Sequence, residues 1–370
     1  MKKTILLICL LVLTVACECM RKERIKIGLM GSFSGKYSDM GKEFRFGNAL
    51  ALKHFKNKYP NAAFEIEIKA YDTQEGEPKT IKPLMETIKQ DGVQLILGPL
   101  TSNIAREIID RQQIKDILFL SPTVSSDFFS NKDDNFIMIN SVASLQGKAI
   151  AKELLNDGVN SIVIIYDGEN AEYTLAVKDG ILQAYHGKMV FKDFDISLWS
   201  KENYHQKLSE VIKLNPQAIT ILSSGITGGA LVQNLGRVKY KGKIYGPTWL
   251  KTNNYIRHGG KYSEGTKVVS NYYPIHKSKE YQLFENEYVE LFGSSPDWLG
   301  IYAYDTMNIL LHALLTTKEK NSENLKKTIL KNKMVSGILE KFLINEQGDA
   351  KRKTSMFIVK QGKFERINNE

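Results

Sequence analysis

Along the chain, short runs of apolar or alternating residues give way repeatedly to longer stretches with apolar positions at helical spacing. Ile25 to Leu29 precedes Met40 to Phe55, Phe64 to Ala70 precedes Pro78 to Asp91, and Val93 to Leu97 precedes Ser102 to Gln113. This is the punctuation of βα units. Phe64, Ile66, Ile68 and Ala70 alternate with Glu65, Glu67 and Lys69, which predicts a half-exposed strand. Leu95, Ile96 and Leu97 form the continuous run of a strand buried on both faces. A parallel, doubly wound sheet is the arrangement that accommodates both.

After Phe136 to Ile139 the alternation starts again, through Gly147 to Asn156, Ser161 to Tyr166, Tyr173 to Tyr185, Asn203 to Leu214, Ala218 to Leu222, Gly228 to Val238 and Lys243 to Tyr245. A second α/β unit is implied. Two further helices are predicted at Lys279 to Phe292 and Ile301 to Thr317, the latter with Ala303, Met307, Leu310, Leu311 and Leu314 on one face. That stripe reads as core packing rather than a cofactor site. No Gly-, Ser- or Pro-rich linker separates the two units, and no repeat is visible, so two lobes joined by short crossings are expected.

The opening MKKTILLICLLVLTVAC differs from everything after it. Lys2 and Lys3 precede an apolar run from Ile5 to Val12, and Ala16 stands before Cys17. This is the layout of an export signal, and the run falls short of the ~20 residues needed to span a bilayer. Residues 1–16 are therefore expected to be removed. Thr14, Val15, Ala16 and Cys17 resemble the lipobox of bacterial lipoproteins, with Thr14 in place of the usual Leu. The resemblance implies a lipidated Cys17 and a tether over 17–21; ordinary cleavage near Ala16 is the alternative, and would release a free protein.

Composition narrows the rest. The 370 residues carry 51 Lys and Arg against 41 Asp and Glu, a net charge of +10. Because the charges are scattered, a solvated basic surface is expected rather than a nucleic-acid site. The cysteines are Cys9, Cys17 and Cys19, so no disulfide framework can form within the body of the chain.

Motifs for catalysis are weak. Gly31 to Tyr37 has one residue too few between glycines for a phosphate loop, and Tyr37 stands where Ser or Thr would hold magnesium. The histidines at 54, 186, 205, 258, 276 and 312 are dispersed, and no GxSxG elbow is present. A hydrolase built on Ser102 or Ser224 lacks a recognisable His or Asp partner. What remains is polar residues at strand ends, where an open α/β sheet receives its ligands. Thr101 and Ser102 follow one strand and open a helix, Thr123 and Ser125 follow the next, and Ser223 with Ser224, and Thr248 with Trp249, do so in the second unit. Ser102 and Ser125 are equally suited to capping helices.

Ser32, Phe33, Ser34, Gly35, Gly41 and the run Asn48 to Leu52 resemble the opening of the type I periplasmic binding proteins of the branched-chain amino acid family, the solute receptors of ABC transporters. The likeness continues in order through Asp72, Ile96 to Pro99, Ser102, Ser121, Pro122, Tyr173, Gly246, Pro247 and Tyr302 to Asp305. It implies two Rossmann-like lobes joined by a three-crossing hinge, the first built from 22–143 and 273–348, the second from 144–272 and 349–370. It further implies that Ser102, Thr123 and Ser125 meet a ligand carboxylate, that Tyr173, Ser224 and Thr248 contribute from the second lobe, and that Met40 forms a wall to which Trp249 adds. Two positions depart from the family pattern. Ser224 stands where an aromatic hydroxyl can occur, and Thr248 where an acidic residue grips the amino group.

The implied function is an exported, lipid-anchored receptor, in a periplasm or on the outer face of a bacterial membrane. It would capture an amino acid, carboxylic acid or amide and deliver it to an ABC permease, without cofactor, metal, catalysis or nucleic acid. A ligand sensor of the same fold serving a signalling receptor is the alternative. Because Thr248 cannot neutralise an ammonium group, a ligand without one is expected.

Overall fold

The structure, a computed structural model, describes residues 22–74, 78–110, 116–186, 188–272 and 278–367. The expected leader over 1–16, the tether over 17–21 and Cys17 lie outside the described residues. Among the described residues no helix is long and apolar enough to cross a membrane.

The first lobe starts with β1 (Glu23–Gly31), α1 (Ser38–Lys58), β2 (Phe64–Asp72), α2 (Pro78–Gln90), β3 (Leu95–Leu97), α3 (Ser102–Asp110), β4 (Leu118–Ser121) and β5 (Phe136–Met138). Its strands form a five-stranded parallel sheet in the order β2-β1-β3-β4-β5. Alternation decides which layer each side chain joins. Ile27, Leu97 and Leu120 enter the apolar cluster on one face, while Met30, Ile96 and Phe119 enter the cluster on the other. The edge strand β2 is half-exposed and β3 fully buried, as their sequence patterns require.

The second lobe repeats the design with α4 (Ala143–Asn156), β6 (Ser161–Tyr166), α5 (Ala171–Ala184), β7 (Met189–Asp195), α6 (Tyr204–Lys213), β8 (Ala218–Leu222), α7 (Gly225–Arg237), β9 (Lys243–Gly246), α8 (Asn253–Gly259) and β10 (Lys267–Ser270). The parallel order β7-β6-β8-β9-β10 matches that of the first sheet strand for strand. The chain then returns to the first lobe with α9 (Lys279–Phe292), α10 (Trp298–Thr316) and α11 (Ser322–Lys331). A small antiparallel sheet follows, of β11 (Met334–Ser336), β12 (Lys341–Ile344) and β13 (Ala350–Lys351). The closing hairpin β14 (Ser355–Lys360) and β15 (Lys363–Arg366) adds to β10, giving the second sheet seven strands.

The third crossing lies beyond the expected 348/349 break, because Asp349 bridges to Met138 and Ala350 pairs with Ile344 before the chain leaves. The expected 272/273 break adjoins 273–277, which lie outside the described residues. Helix α10 starts at Trp298, three residues ahead of its expected start at Ile301, since Asp297 Oδ1 accepts from the amides of Leu299 at 2.8 Å and Gly300 at 3.2 Å.

The crossings are tied to one another. Asn271 Nδ2 donates to Asn140 Oδ1 at 3.0 Å, the Arg352 amide donates to Ser141 Oγ at 2.7 Å, and Arg352 Nε donates to the Ile139 carbonyl at 2.8 Å. The Arg352 guanidinium is buried 3.6 Å from the Phe342 ring centroid and 4.2 Å from that of Tyr302, with Asp305 Oδ2 3.5 Å away. Burial raises the Asp305 carboxyl above its ordinary value, with the Arg352 charge opposing. In the second lobe Lys251 is also buried, its ammonium 4.3 Å from both the Tyr272 and Phe357 rings. Burial pushes it down to about 7 against the pull of Asp297.

Two outcomes are expected. Arg352→Met leaves the Asp305 carboxyl buried without its cation and should cost about 3–5 kcal/mol in denaturant unfolding, part of which Arg352→Met with Asp305→Leu restores. For Lys251, the unfolded chain keeps a proton that the folded chain releases between pH ~7 and 10.5, so stability rises with pH through that window. Relative to Lys251→Met, the wild type should therefore gain on the order of 3 kcal/mol between pH 7 and 10, a shift discounted for ring attraction. Chemical denaturation at the two pH values measures it, and parallel curves for the two proteins would contradict it.

Candidate functional site

In both sheets the strand order reverses beside the first strand, so the loops after β1 and β3 part there in one lobe and those after β6 and β8 in the other. Crevices open at such points, at the carboxyl ends of parallel strands. Here the two carboxyl edges face each other, and the loops meet across the gap.

The loop after β1 is shaped by Asp72, whose Oδ1 accepts from the amides of Phe33 at 2.9 Å and Gln74 at 3.1 Å while Oδ2 accepts from Ser34 Oγ at 2.6 Å. Burial works against this carboxylate, but the bonds from Ser34 and the backbone hold it below its ordinary value. The shaped loop carries Lys36 and Tyr37 to the other lobe. Lys36 Nζ lies 3.0 Å from Asp167 Oδ2 and 2.8 Å from Glu169 Oε2, and Tyr37 Oη donates to Asp167 Oδ2 at 3.1 Å. Asp167 is fully buried at the end of β6; burial raises its carboxyl, and Lys36 opposes that rise. Asn103 adds to the contact, donating to the Glu169 carbonyl at 2.7 Å and accepting from the Glu172 amide at 2.8 Å.

The loop after β3 turns at Gly98, whose φ of +108° and position 2.1 Å from the Met30 carbonyl, measured from where a Cβ would stand, admit only glycine. The next loop is stitched to it: Ser121 Oγ donates to the Pro99 carbonyl at 2.7 Å and Thr123 Oγ1 to that of Leu100 at 2.6 Å. Ser102 Oγ accepts from the Ser125 amide at 3.4 Å, which leaves the Ser102 hydroxyl proton free. From the second lobe, Tyr173 Oη and the Thr248 amide both donate to Gln146 Oε1, at 3.1 and 3.0 Å, and Thr248 Oγ1 donates to the Val269 carbonyl at 3.2 Å. Burial raises the Tyr173 phenol, keeping it protonated as a donor.

Between the lobes these loops line a small, half-open cavity of about 20 Å³. Of the expected residues, Met40, Ser102, Thr123, Tyr173, Thr248 and Trp249 line it. Ser125 stands behind Ser102, its buried Oγ without a partner, and is absent from the lining. Ser224 is also set back from the cavity: it caps α7, accepting from the Thr227 amide at 3.3 Å. Four lining residues escaped the strand-end reading, namely Leu100, Asn140, Asn170 and Trp298. Asn140 follows β5 and Asn170 follows β6, so the same rule applied to every strand reaches them; Trp298 sits on a helix and carries no such mark.

All ten lining side chains are uncharged. The two amide acceptors are engaged within the protein, Asn140 Oδ1 by the Ser141 amide and Asn271 and Asn170 Oδ1 by the Asn103 amide. The donors divide. The hydroxyls of Thr123, Tyr173 and Thr248 and the Trp249 indole donate within the protein, the three hydroxyl oxygens keeping acceptor capacity. The Ser102 hydroxyl proton, the amide nitrogens of Asn140 and Asn170 and the unpartnered indole N–H of Trp298 remain. Of the carboxylates beside lining residues, Glu169 pairs with Lys36 at 2.8 Å, Glu172 lies 3.6 Å from Arg106, and Asp297 accepts from the Leu299 and Gly300 amides; Asp39 accepts from Asn254 through Oδ2 at 3.0 Å while its buried Oδ1 has no partner, and Asp72 is held by its own loop. Among the described residues no group of three or more His, Cys, Asp or Glu side chains is placed to hold a metal ion.

Residues 24–363 match the family model described as periplasmic binding protein. The chain is 20% identical over 332 residues to a Leu/Ile/Val-binding protein homologue of Brucella suis, covering 86% of this chain and 83% of that protein. A leucine-binding protein of Thermotoga maritima superposes with a TM-score of 0.83 at 21% identity, over 93% of this chain and 98% of that one. A solute-binding protein of an ABC transporter from Rhodopseudomonas palustris, solved with benzoate, superposes with a TM-score of 0.83 at 17% identity, over 93% and 95% of the two chains. With the family model spanning nearly all of its described length and the type I two-lobed fold behind it, this chain belongs to the periplasmic binding protein family.

Proposed function

We propose that the protein is an extracytoplasmic receptor that delivers a small solute to an ABC permease, holding it between the lobes without chemical turnover. The supporting observation is the cavity at the facing sheet edges, whose neutral lining keeps uncommitted donors on Ser102, Asn140, Asn170 and Trp298. Such a lining complements a carboxylate, amide or urea-like group. It offers no anion to an ammonium group, and Thr248 occupies the position where the family resemblance implies one. Leaving a charge buried without its partner costs ~3–5 kcal/mol, on the order of a hundredfold to several thousandfold in affinity. The ligand in this reading carries an acceptor end and no free α-ammonium. Ser102 and Ser224 act as binding and capping groups, and Cys17 as the lipid attachment that keeps the receptor beside its permease.

Size-matched pairs test the charge preference apart from size: glycine with acetate, alanine with propionate, leucine with 4-methylpentanoate. In calorimetric titration the acid of any pair that binds should bind more tightly by roughly a hundredfold, and Ser102→Ala should weaken it about tenfold through loss of a bond to a charged group. Amino acids that bind where their acids do not would refute the reading. For the anchor, exported wild-type protein should fractionate with membranes and Cys17→Ser should be soluble; a soluble wild type with an unmodified terminus removes the anchor.

A further inference from the structure

Trp249 enters the gap from the second lobe and closes it against the first. Its Nε1 donates toward the Met40 sulfur at 3.3 Å, and its ring lies 5.5 Å from that of Tyr37 and 5.7 Å from that of Tyr173. Met40 and Tyr37 belong to the first lobe and Tyr173 to the second, so the indole occupies the space between lobes rather than the core of either. The backbone beneath it has no room to retreat. Thr248 to Leu250 form a 3₁₀ turn closed by the Leu250 amide on the Pro247 carbonyl at 3.0 Å and the Lys251 amide on that of Thr248 at 2.8 Å. Leu250 is wedged into a slot that two glycines provide, for a Cβ on Gly228 or Gly246 would stand 2.3 or 2.2 Å from its methyl carbons. The turn is thus anchored behind Trp249, and the side chain has one direction to fill.

The cavity left is about 20 Å³, on the scale of a water molecule, whereas pockets for drug-sized ligands run to ~300–1,000 Å³. We propose that Trp249 sets the upper size limit of the ligand, resting on the receptor reading above: it fills the volume that a branched or aromatic group would need, and restricts the protein to compact acceptor-bearing molecules such as short carboxylates, amides or ureas. Met40 forms the opposite jaw, and the donors of Ser102, Asn140 and Trp298 meet the acceptor end. This protein would then differ in ligand size from the relative solved with benzoate while sharing its fold.

The test is calorimetric titration of the full exported protein and of Trp249→Ala, Trp249→Leu and Trp249→Phe with acetate, propionate, lactate, acetamide and urea, and with 4-methylpentanoate and benzoate. Circular dichroism establishes which variants fold, and the Leu and Phe variants keep the cleft apolar if the Ala variant does not. The wild type should bind at least one short compound and neither bulky acid. Shrinking residue 249 should raise affinity for the bulky acids by at least about tenfold while lowering it for the short ones, Phe having the least effect. Bulky acids binding the wild type as tightly as short ones, or a preference unchanged in every folded variant, overturns the size limit and leaves the receptor reading intact. Absence of binding by every compound to every folded protein overturns the receptor reading, and the size limit with it.

Discussion

Two sheets that present their carboxyl edges to each other need a connection that keeps the edges aligned, and here the burden falls on three crossings pinned at Arg352. Its amide and Nε reach Ser141 Oγ and the Ile139 carbonyl of the first crossing, and Asn140 in that crossing bonds Asn271 of the second. A buried guanidinium is a costly way to hold strands together. It is tolerated because Phe342 and Tyr302 face its cation and Asp305 and Glu340 supply the countercharge. Since Asn140 also lines the cavity between the lobes, the crossings and the candidate site share a residue. In the proposed receptor, a ligand bonded to Asn140 would act directly on the crossing strands.

Charge and apolar surface are divided between rim and centre. The ion pairs of Lys36 with Asp167 and Glu169 lie at the side of the gap, while Trp249, Met40, Tyr37 and Tyr173 fill its middle. Lys36 is about one quarter exposed and Asp167 not at all, so the desolvation of Asp167 offsets much of the attraction. The pair accordingly aligns the lobes more than it binds them. The aromatic contact is non-directional and gains from every ångström of burial, but the indole that makes it also uses up space. In the proposed receptor, lobe contact and ligand size would for that reason be coupled in a single side chain.

The strands that carry the core were legible because burial on two faces leaves an unmistakable run, as in Leu95 to Leu97 or Ile162 to Ile165. Strand β7, Met189–Asp195, was not, since it lies at an edge and exposes Met189 and Phe191 between charged residues. Strand β10 has only four residues, and α11 buries little beyond Leu325 and Ile329. Within the site, hydroxyls after strands pointed to Ser102, Thr123 and Thr248, yet the same rule cannot distinguish a residue facing the gap from one set behind it. Ser125 follows β4 as Thr123 does and ends up behind Ser102; Ser224 follows β8 and is consumed by capping. Trp298 depends on where α10 begins, a matter decided by the Asp297 cap and the packing of the first lobe's late helices.

The neutral centre has a consequence for how selectivity and closure depend on their surroundings. In a receptor that grips an ammonium group with a carboxylate, the same charge both chooses the ligand and draws the lobes together. Here no lining residue carries charge, so in the proposed receptor selection would rest on hydrogen bonds and shape, whereas attraction between lobes would rest on Lys36, buried Asp167 and partly exposed Glu169 beside the cavity. Screening by salt acts on partly exposed charges and hardly on buried neutral bonds. In the proposed receptor, ionic strength would therefore bear on how readily the lobes meet, through the exposed Glu169 above all, and would leave the order of preference among ligands to the donors and to the volume that Trp249 does not fill.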